Sequence, residues 1–206
     1  MIEQHRHFPR AAYTSMPWRN GAGVTREIAR APAQGDRFVW RLSLASLQES
    51  GPFSSYVGYR RCVALVEGRG FRLHVAGAGA QLLLARGEHA LFAGEAETSC
   101  ELLDGPCTDL SLMVSKPGTI DSVTRLDLHA EHSVSAPAGK LHVLFVLQGA
   151  IECRPPGSRF GAAAHGQHVN LLLNDTLLIL GRGHSWSIRC ASGAAAQLLL
   201  MSFTSA

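Results

Sequence analysis

Between residues 18 and 61 the chain concentrates the side chains best suited to holding a small anion. Trp18-Arg-Asn-Gly-Ala-Gly-Val-Thr-Arg-Glu-Ile28 is followed by Phe38-Val-Trp-Arg-Leu-Ser43 with Ala45, then by Gly51-Pro-Phe-Ser54 and Tyr56-Val-Gly-Tyr-Arg-Arg61. Successive side chains of a strand point to opposite faces. Trp40 and Leu42 therefore face one way and Arg41 and Ser43 the other, while Thr25 and Glu27 share a face. An arginine turned into a β interior is costly to bury unless it is paired. Glu27 suits Arg41 as that partner, which leaves Arg61 to meet a ligand anion, since a guanidinium fork grips a carboxylate at two points. A plainer reading fits the same residues: Trp18 and Trp40 are core, and Arg41 and Glu27 are an ordinary cross-strand ion pair. If the segment is catalytic instead, Glu27 is the candidate general base.

Composition excludes several function classes. Only 17% of the 206 residues are charged, against about 25% in ordinary soluble domains, so a cluster of Arg41, Arg61 and Glu27 stands out. Nineteen basic residues oppose sixteen acidic ones, and the longest basic run is Arg60-Arg61. A phosphate backbone needs a clustered basic patch, so no nucleic-acid partner is expected. The first ten residues contain no apolar run of the signal-peptide kind, and the apolar runs 141–147 and 177–180 are far shorter than a membrane span. No membrane partner is expected. The five cysteines, Cys62, Cys100, Cys107, Cys153 and Cys190, show no C-x-x-C spacing and mostly lie in apolar runs. They read as reduced, buried hydrophobes of a cytoplasmic protein. There is no G-x-S-x-G, P-loop or H-E-x-x-H motif. Gly21-Ala-Gly23 opens no β-α-β unit and is no dinucleotide site.

The elements that position the cluster are strands. With 46% hydrophobic residues, 21 glycines and 9 prolines, the chain can bury a core but is cut into short pieces. Strands are expected at 38–47, 62–67, 71–76, 81–84, 90–92, 100–103 and 109–114. A polar stretch covers 116–138, and strands resume at 141–147, 150–154, 167–173, 176–180, 185–190 and 196–203. One short helical turn is expected near 51–55.

The strands repeat. Residues 63–73 align with 143–153, each an apolar strand, a glycine turn and a second strand; Gly87-Glu88 with Gly94 aligns with Asn174-Asp175 with Gly181. The repeat predicts two all-β lobes, 1–115 and 120–206, each a double-sheet jelly roll of the cupin type with a ligand cavity inside.

Cupins commonly hold a metal through an H-x-H pair, a glutamate and a later histidine. In the first lobe those slots fall near Ser54 and Tyr56, on Arg61, and near Glu97 or Thr98. A guanidinium repels a cation, so no metal cofactor is expected there. In the second lobe only His142 and His184 occupy slots, an incomplete set. The pairs His5/His7 and His129/His132 lie in polar segments and read as solvated histidines.

W-x-N-G-x-G-x-T-x-E-I, F-x-W-R-x-S-x-A, G-P-F-S and the following arginine resemble the HutD/Ves family of two-lobed cupins. Phe92-Ala-Gly94, Leu103-Asp-Gly-Pro106 and Asp109-Leu-Ser-Leu-Met113 extend the likeness through the first lobe; Phe145-Val-Leu-Gln-Gly149 carries it in outline into the second. The chain departs from the family pattern at Tyr56-Val57-Gly58, Arg60 and Ser111. The resemblance implies a bicupin without the usual metal set, linked to histidine utilisation. Its implied ligand-binding residues are Trp18, Asn20, Thr25, Glu27, Trp40, Arg41, Ser43, Ser54, Tyr56 and Arg61. The expected function is a non-catalytic sensor or regulator that binds a small carboxylate such as a histidine breakdown intermediate. The alternative is a metal-independent enzyme acting on the same acids. Jelly-roll sheet edges also allow a homodimer.

Overall fold

The computed structural model describes residues 5–18, 23–157, 168–191 and 195–205. The chain is all-β, as expected. It starts with β1 (His5–Phe8) and a single 3-10 turn, Arg10–Ala12. Ten strands follow: β2 (Thr14–Pro17), β3 (Gly23–Ala31), β4 (Trp40–Leu47), β5 (Gly51–Pro52), β6 (Tyr59–Glu67), β7 (Phe71–Val75), β8 (Gly79–Leu83), β9 (His89–Ala93), β10 (Thr98–Leu102) and β11 (Cys107–Ser115). The remainder are β12 (Thr119–Leu128), β13 (His132–Ala136), β14 (Leu141–Gln148), β15 (Ile151–Arg154), β16 (Val169–Leu171), β17 (Thr176–Leu180), β18 (His184–Cys190) and β19 (Ala196–Thr204).

Two compact units result, one of them Tyr13–Ile120 and the other Asp121–Thr204 together with β1 and its turn. Residues 5–12, expected in the first lobe, belong to the second because β1 pairs antiparallel with β17. Within Tyr13–Ile120 one sheet runs β2-β3-β4-β11-β6-β9 and the other β5-β10-β7-β8. The other unit has β1-β17-β14-β19-β12 and β13-β18-β15-β16. Strand for strand, β4-β11-β6-β9 repeats as β12-β19-β14-β17, and β5-β10-β7-β8 repeats as β13-β18-β15-β16. Each unit is thus the same eight-stranded double sheet, a cupin jelly roll, with extra strands added at a sheet edge.

The aligned sequence motifs do the same work in each unit. In one, Leu65 N–H donates to the Glu88 carbonyl and Gly87 N–H to the Leu65 carbonyl; in the other, Val146 N–H donates to Asp175 and Asn174 N–H to Val146. Glu88 and Asp175 both turn their carboxylates back onto backbone N–H groups of the preceding loop. A Cβ on Gly94 would lie 2.3 Å from the Tyr56 carbonyl oxygen, and one on Gly181 would lie 1.9 Å from that of Pro137. Only glycine allows that approach.

Cores lie between the sheets. Val63, Leu65, Phe71, Leu73 and Leu83 fill one; Leu144, Val146, Ile151, Leu177 and Leu198 fill the other. Each fully buried leucine of this kind contributes about 2 kcal/mol.

Two local expectations are corrected. Residues 51–55 form no helical turn, because Gly51–Pro52 pair with β10 as a short edge strand. The polar stretch 116–138 contains β12 and β13. β12 lies at the edge of its sheet with mostly exposed or half-buried side chains, so it carries little apolar signal.

Candidate functional site

Inside the unit Tyr13–Ile120, the inner face of β3, β4, β11 and β6 floors a cavity of about 460 Å³. The alternation expected for β4 holds: Arg41, Ser43 and Ala45 line the cavity, while Trp40 and Leu42 do not. The register sets the floor out in three cross-strand rows. Arg41, Met113 and Arg61 form the first, Ser43 and Ser111 the second, and Ala45 and Asp109 the third, with the β6 neighbours Val63 and Leu65 of the last two rows turned into the core. The rows grade from cationic, through hydroxyl-bearing, to acidic.

Arg61, which the sequence spacing assigns to the glutamate slot of the cupin metal motif, is 6% exposed. Its guanidinium carbon lies 5.3 Å from the Phe53 ring centroid, 5.4 Å from Tyr56 and 5.1 Å from Phe92. Desolvated cation–π contacts of this kind contribute up to about 2 kcal/mol each. One Nη donates to the Ser54 carbonyl oxygen at 3.0 Å, while Nε has no partner. Burial draws the Arg61 guanidinium down from its ordinary pKa, with Asp109 opposing the shift. Arg41 and Glu27 form the expected ion pair, Nε to Oε2 at 3.5 Å, without hydrogen-bond alignment. At the rim, Trp18 Nε1–H donates to Thr25 Oγ1 at 2.8 Å, which stands the indole beside the opening.

Of the residues singled out in the sequence, Trp18, Thr25, Arg41, Ser43, Ser54, Tyr56 and Arg61 converge on the cavity. Trp40 packs on the other face of β4, buried at 7% exposure, as in the plainer reading. Glu27 is held by Arg41 and is not part of the cavity wall. Asn20 lies outside the described residues.

Asp109 and Ser111 line the cavity without having been singled out as ligand residues. Their signal was present: an acidic residue and a serine two apart interrupt an otherwise apolar strand, the period that turns both to one face. Asp109 is 1% exposed, and neither carboxylate oxygen has a hydrogen-bond partner. Burial pushes its carboxyl up to about 7, with Arg61 pulling the other way. The Ser111 hydroxyl is likewise buried and unpartnered.

Metal-binding candidates do not gather. His142 is buried in β14 with Nε2 unpartnered, and its pKa is lowered by burial; His184 is exposed at the start of β18. Among the described residues no three His, Cys, Asp or Glu side chains form a metal-holding group. His7 instead contacts Asp175 at 3.0 Å. The five cysteines are free, and four are buried. No helix among the described residues is long and apolar enough to cross a membrane.

Comparison with known proteins agrees with the fold and the motifs. A family model described as HutD matches residues 10–200. A 21.2 kDa protein in the hutC 3′ region of Pseudomonas putida is 45% identical over 102 residues, 49% of this chain. That match spans 53% of the relative, about half its length. A solved structure of a conserved protein of unknown function from Pseudomonas aeruginosa PAO1 superposes with a TM-score of 0.83 at 31% identity, covering 98% of this chain and 100% of that one. HutD from Pseudomonas fluorescens SBW25 superposes with a TM-score of 0.75 at 26% identity, covering 98% and 99%.

Proposed function

The chain belongs to the HutD family, and from that premise we propose that its cavity receives a small carboxylate and that the protein is a non-catalytic sensor in histidine utilisation. One observation carries the reading. Arg61 Nε and Ser111 Oγ are buried on one cavity floor with no hydrogen-bond partner, and beside them Arg41 Nε has only the misaligned Glu27 carboxylate at 3.5 Å. Buried polar groups are normally satisfied, so these donors await a partner, and two guanidiniums in one row match a carboxylate. The names of relatives, HutD and a protein of the hutC 3′ region, support the link to histidine utilisation. Glu27, engaged by Arg41 and absent from the cavity wall, serves as a positioning residue rather than a general base.

The test is thermal unfolding of the protein with each carboxylate formed during histidine breakdown. A ligand at a hundred times its Kd stabilises a protein by about 2.7 kcal/mol, a rise of several degrees in Tm. At least one acid is expected to give that rise, and Arg61→Ala to abolish it. No rise with any of them contradicts the reading.

A further inference from the structure

We propose that Asp109 makes this cavity selective for carboxylates that also carry an N–H donor. The inference rests on the carboxylate reading above and narrows its ligand class. The floor is not uniformly cationic. Arg41 and Arg61 flank Met113, whereas Asp109 lies four residues back along the same strand, about 13 Å of strand rise away. Its cross-strand neighbours are Ala45 and Leu65, which have no side-chain donor to offer. Asp109 lines the cavity, is 1% exposed, and has both oxygens unpartnered. A buried carboxylate without a donor is costly. A second anion placed beside it adds repulsion unless the ligand brings a donor of its own. A ligand whose carboxylate meets the arginine row and whose N–H reaches the Asp109 row satisfies both ends, with the Ser43 and Ser111 hydroxyls between them.

Matched acids that differ chiefly in the donor test this by titration calorimetry on the full chain at pH 8, where the Asp109 carboxyl is mostly ionised. One pair is 3-(imidazol-4-yl)propionate and 3-phenylpropionate; the other is 4-carbamoylbutanoate and the monomethyl ester of glutaric acid. The donor-bearing member of each pair is expected to bind about tenfold tighter or more, and in Asp109→Ala the ratio falls to near unity. Equal affinities in the wild type, or a preference that survives in Asp109→Ala, overturn the inference and leave the carboxylate reading standing. If no member of either pair binds, the carboxylate reading falls and takes the inference with it. Should Asp109→Ala fail to fold, the wild-type ratios still decide.

Discussion

Replacing Asp109 by asparagine is expected to stabilise the ligand-free protein increasingly as pH rises above about 4, and most fully above about 7. Burial lifts the Asp109 carboxyl from 3.8 to about 7 in the folded state. Between roughly pH 4 and 7 the folded chain therefore keeps a proton that the unfolded chain has lost, so stability falls as pH rises through that window and levels off above it. At about 1.4 kcal/mol per pKa unit, a shift of some three units costs the wild type about 4 kcal/mol at pH 8. Asparagine keeps the shape and never ionises. Asp109→Asn should then melt on the order of 10 °C higher than wild type at pH 8, with the gap closing as the pH approaches 4. All other carboxylates titrate alike in the two proteins, so the difference between their pH–stability curves isolates this one group. Equal melting temperatures at pH 8, or a variant less stable there than the wild type, would refute the reasoning, because either result means that the ionised carboxylate is already satisfied.

Three further outcomes follow from the same structure. Glu27→Gln keeps an acceptor for Arg41 in this largely buried pair, so carboxylate affinity in a direct titration should change by less than about threefold; a hundredfold loss would return Glu27 to the chemistry. Gly94→Ala drives a Cβ to within 2.3 Å of the Tyr56 carbonyl. It should cost about 2–4 kcal/mol and weaken carboxylate binding by moving Tyr56 from Arg61, whereas Gly181→Ala should destabilise without changing affinity. Glu152 is pushed up by burial but more strongly lowered by Arg189 and Arg154, each bonded to it at 2.8–3.0 Å. Its stabilisation is present above the usual glutamate range and is lost as pH falls through the lowered folded value. Glu152→Gln should therefore cost about 2 kcal/mol at pH 7 and progressively less in acid, as measured by urea unfolding.

The architecture was legible because each unit reuses one set of turn constraints. Gly94 and Gly181 sit where a carbonyl leaves no room for a Cβ, and Glu88 and Asp175 tie back their own loops. These demands leave a mark on residue identity that outlasts drift in the strands between them. Period-two alternation likewise placed Arg41 and Ser43 on the cavity side of β4. β12 carries no apolar alternation because an edge strand with an open face needs none. Trp40 lies on the core side of β4 and not in the cavity, a difference the sequence does not carry because a buried tryptophan looks the same whether it faces a core or a cavity. Asp109 belongs to the segment Asp109-Leu-Ser-Leu-Met113. Its weight appears only when burial and the absence of any donor across β4 and β6 are known, and those depend on register between distant segments.

The central claim is that Arg61, which the sequence spacing assigns to the glutamate slot of the cupin metal motif, grips a carboxylate. Its most direct test is a calorimetric titration of wild type and Arg61→Met with a carboxylate that raises the wild-type Tm, alongside the corresponding primary alcohol. Wild type should bind the acid saturably and the alcohol not detectably, and a folded Arg61→Met should lose at least about tenfold in acid affinity, as expected when a charged hydrogen-bond partner is removed. Unchanged acid affinity in that variant would contradict the claim.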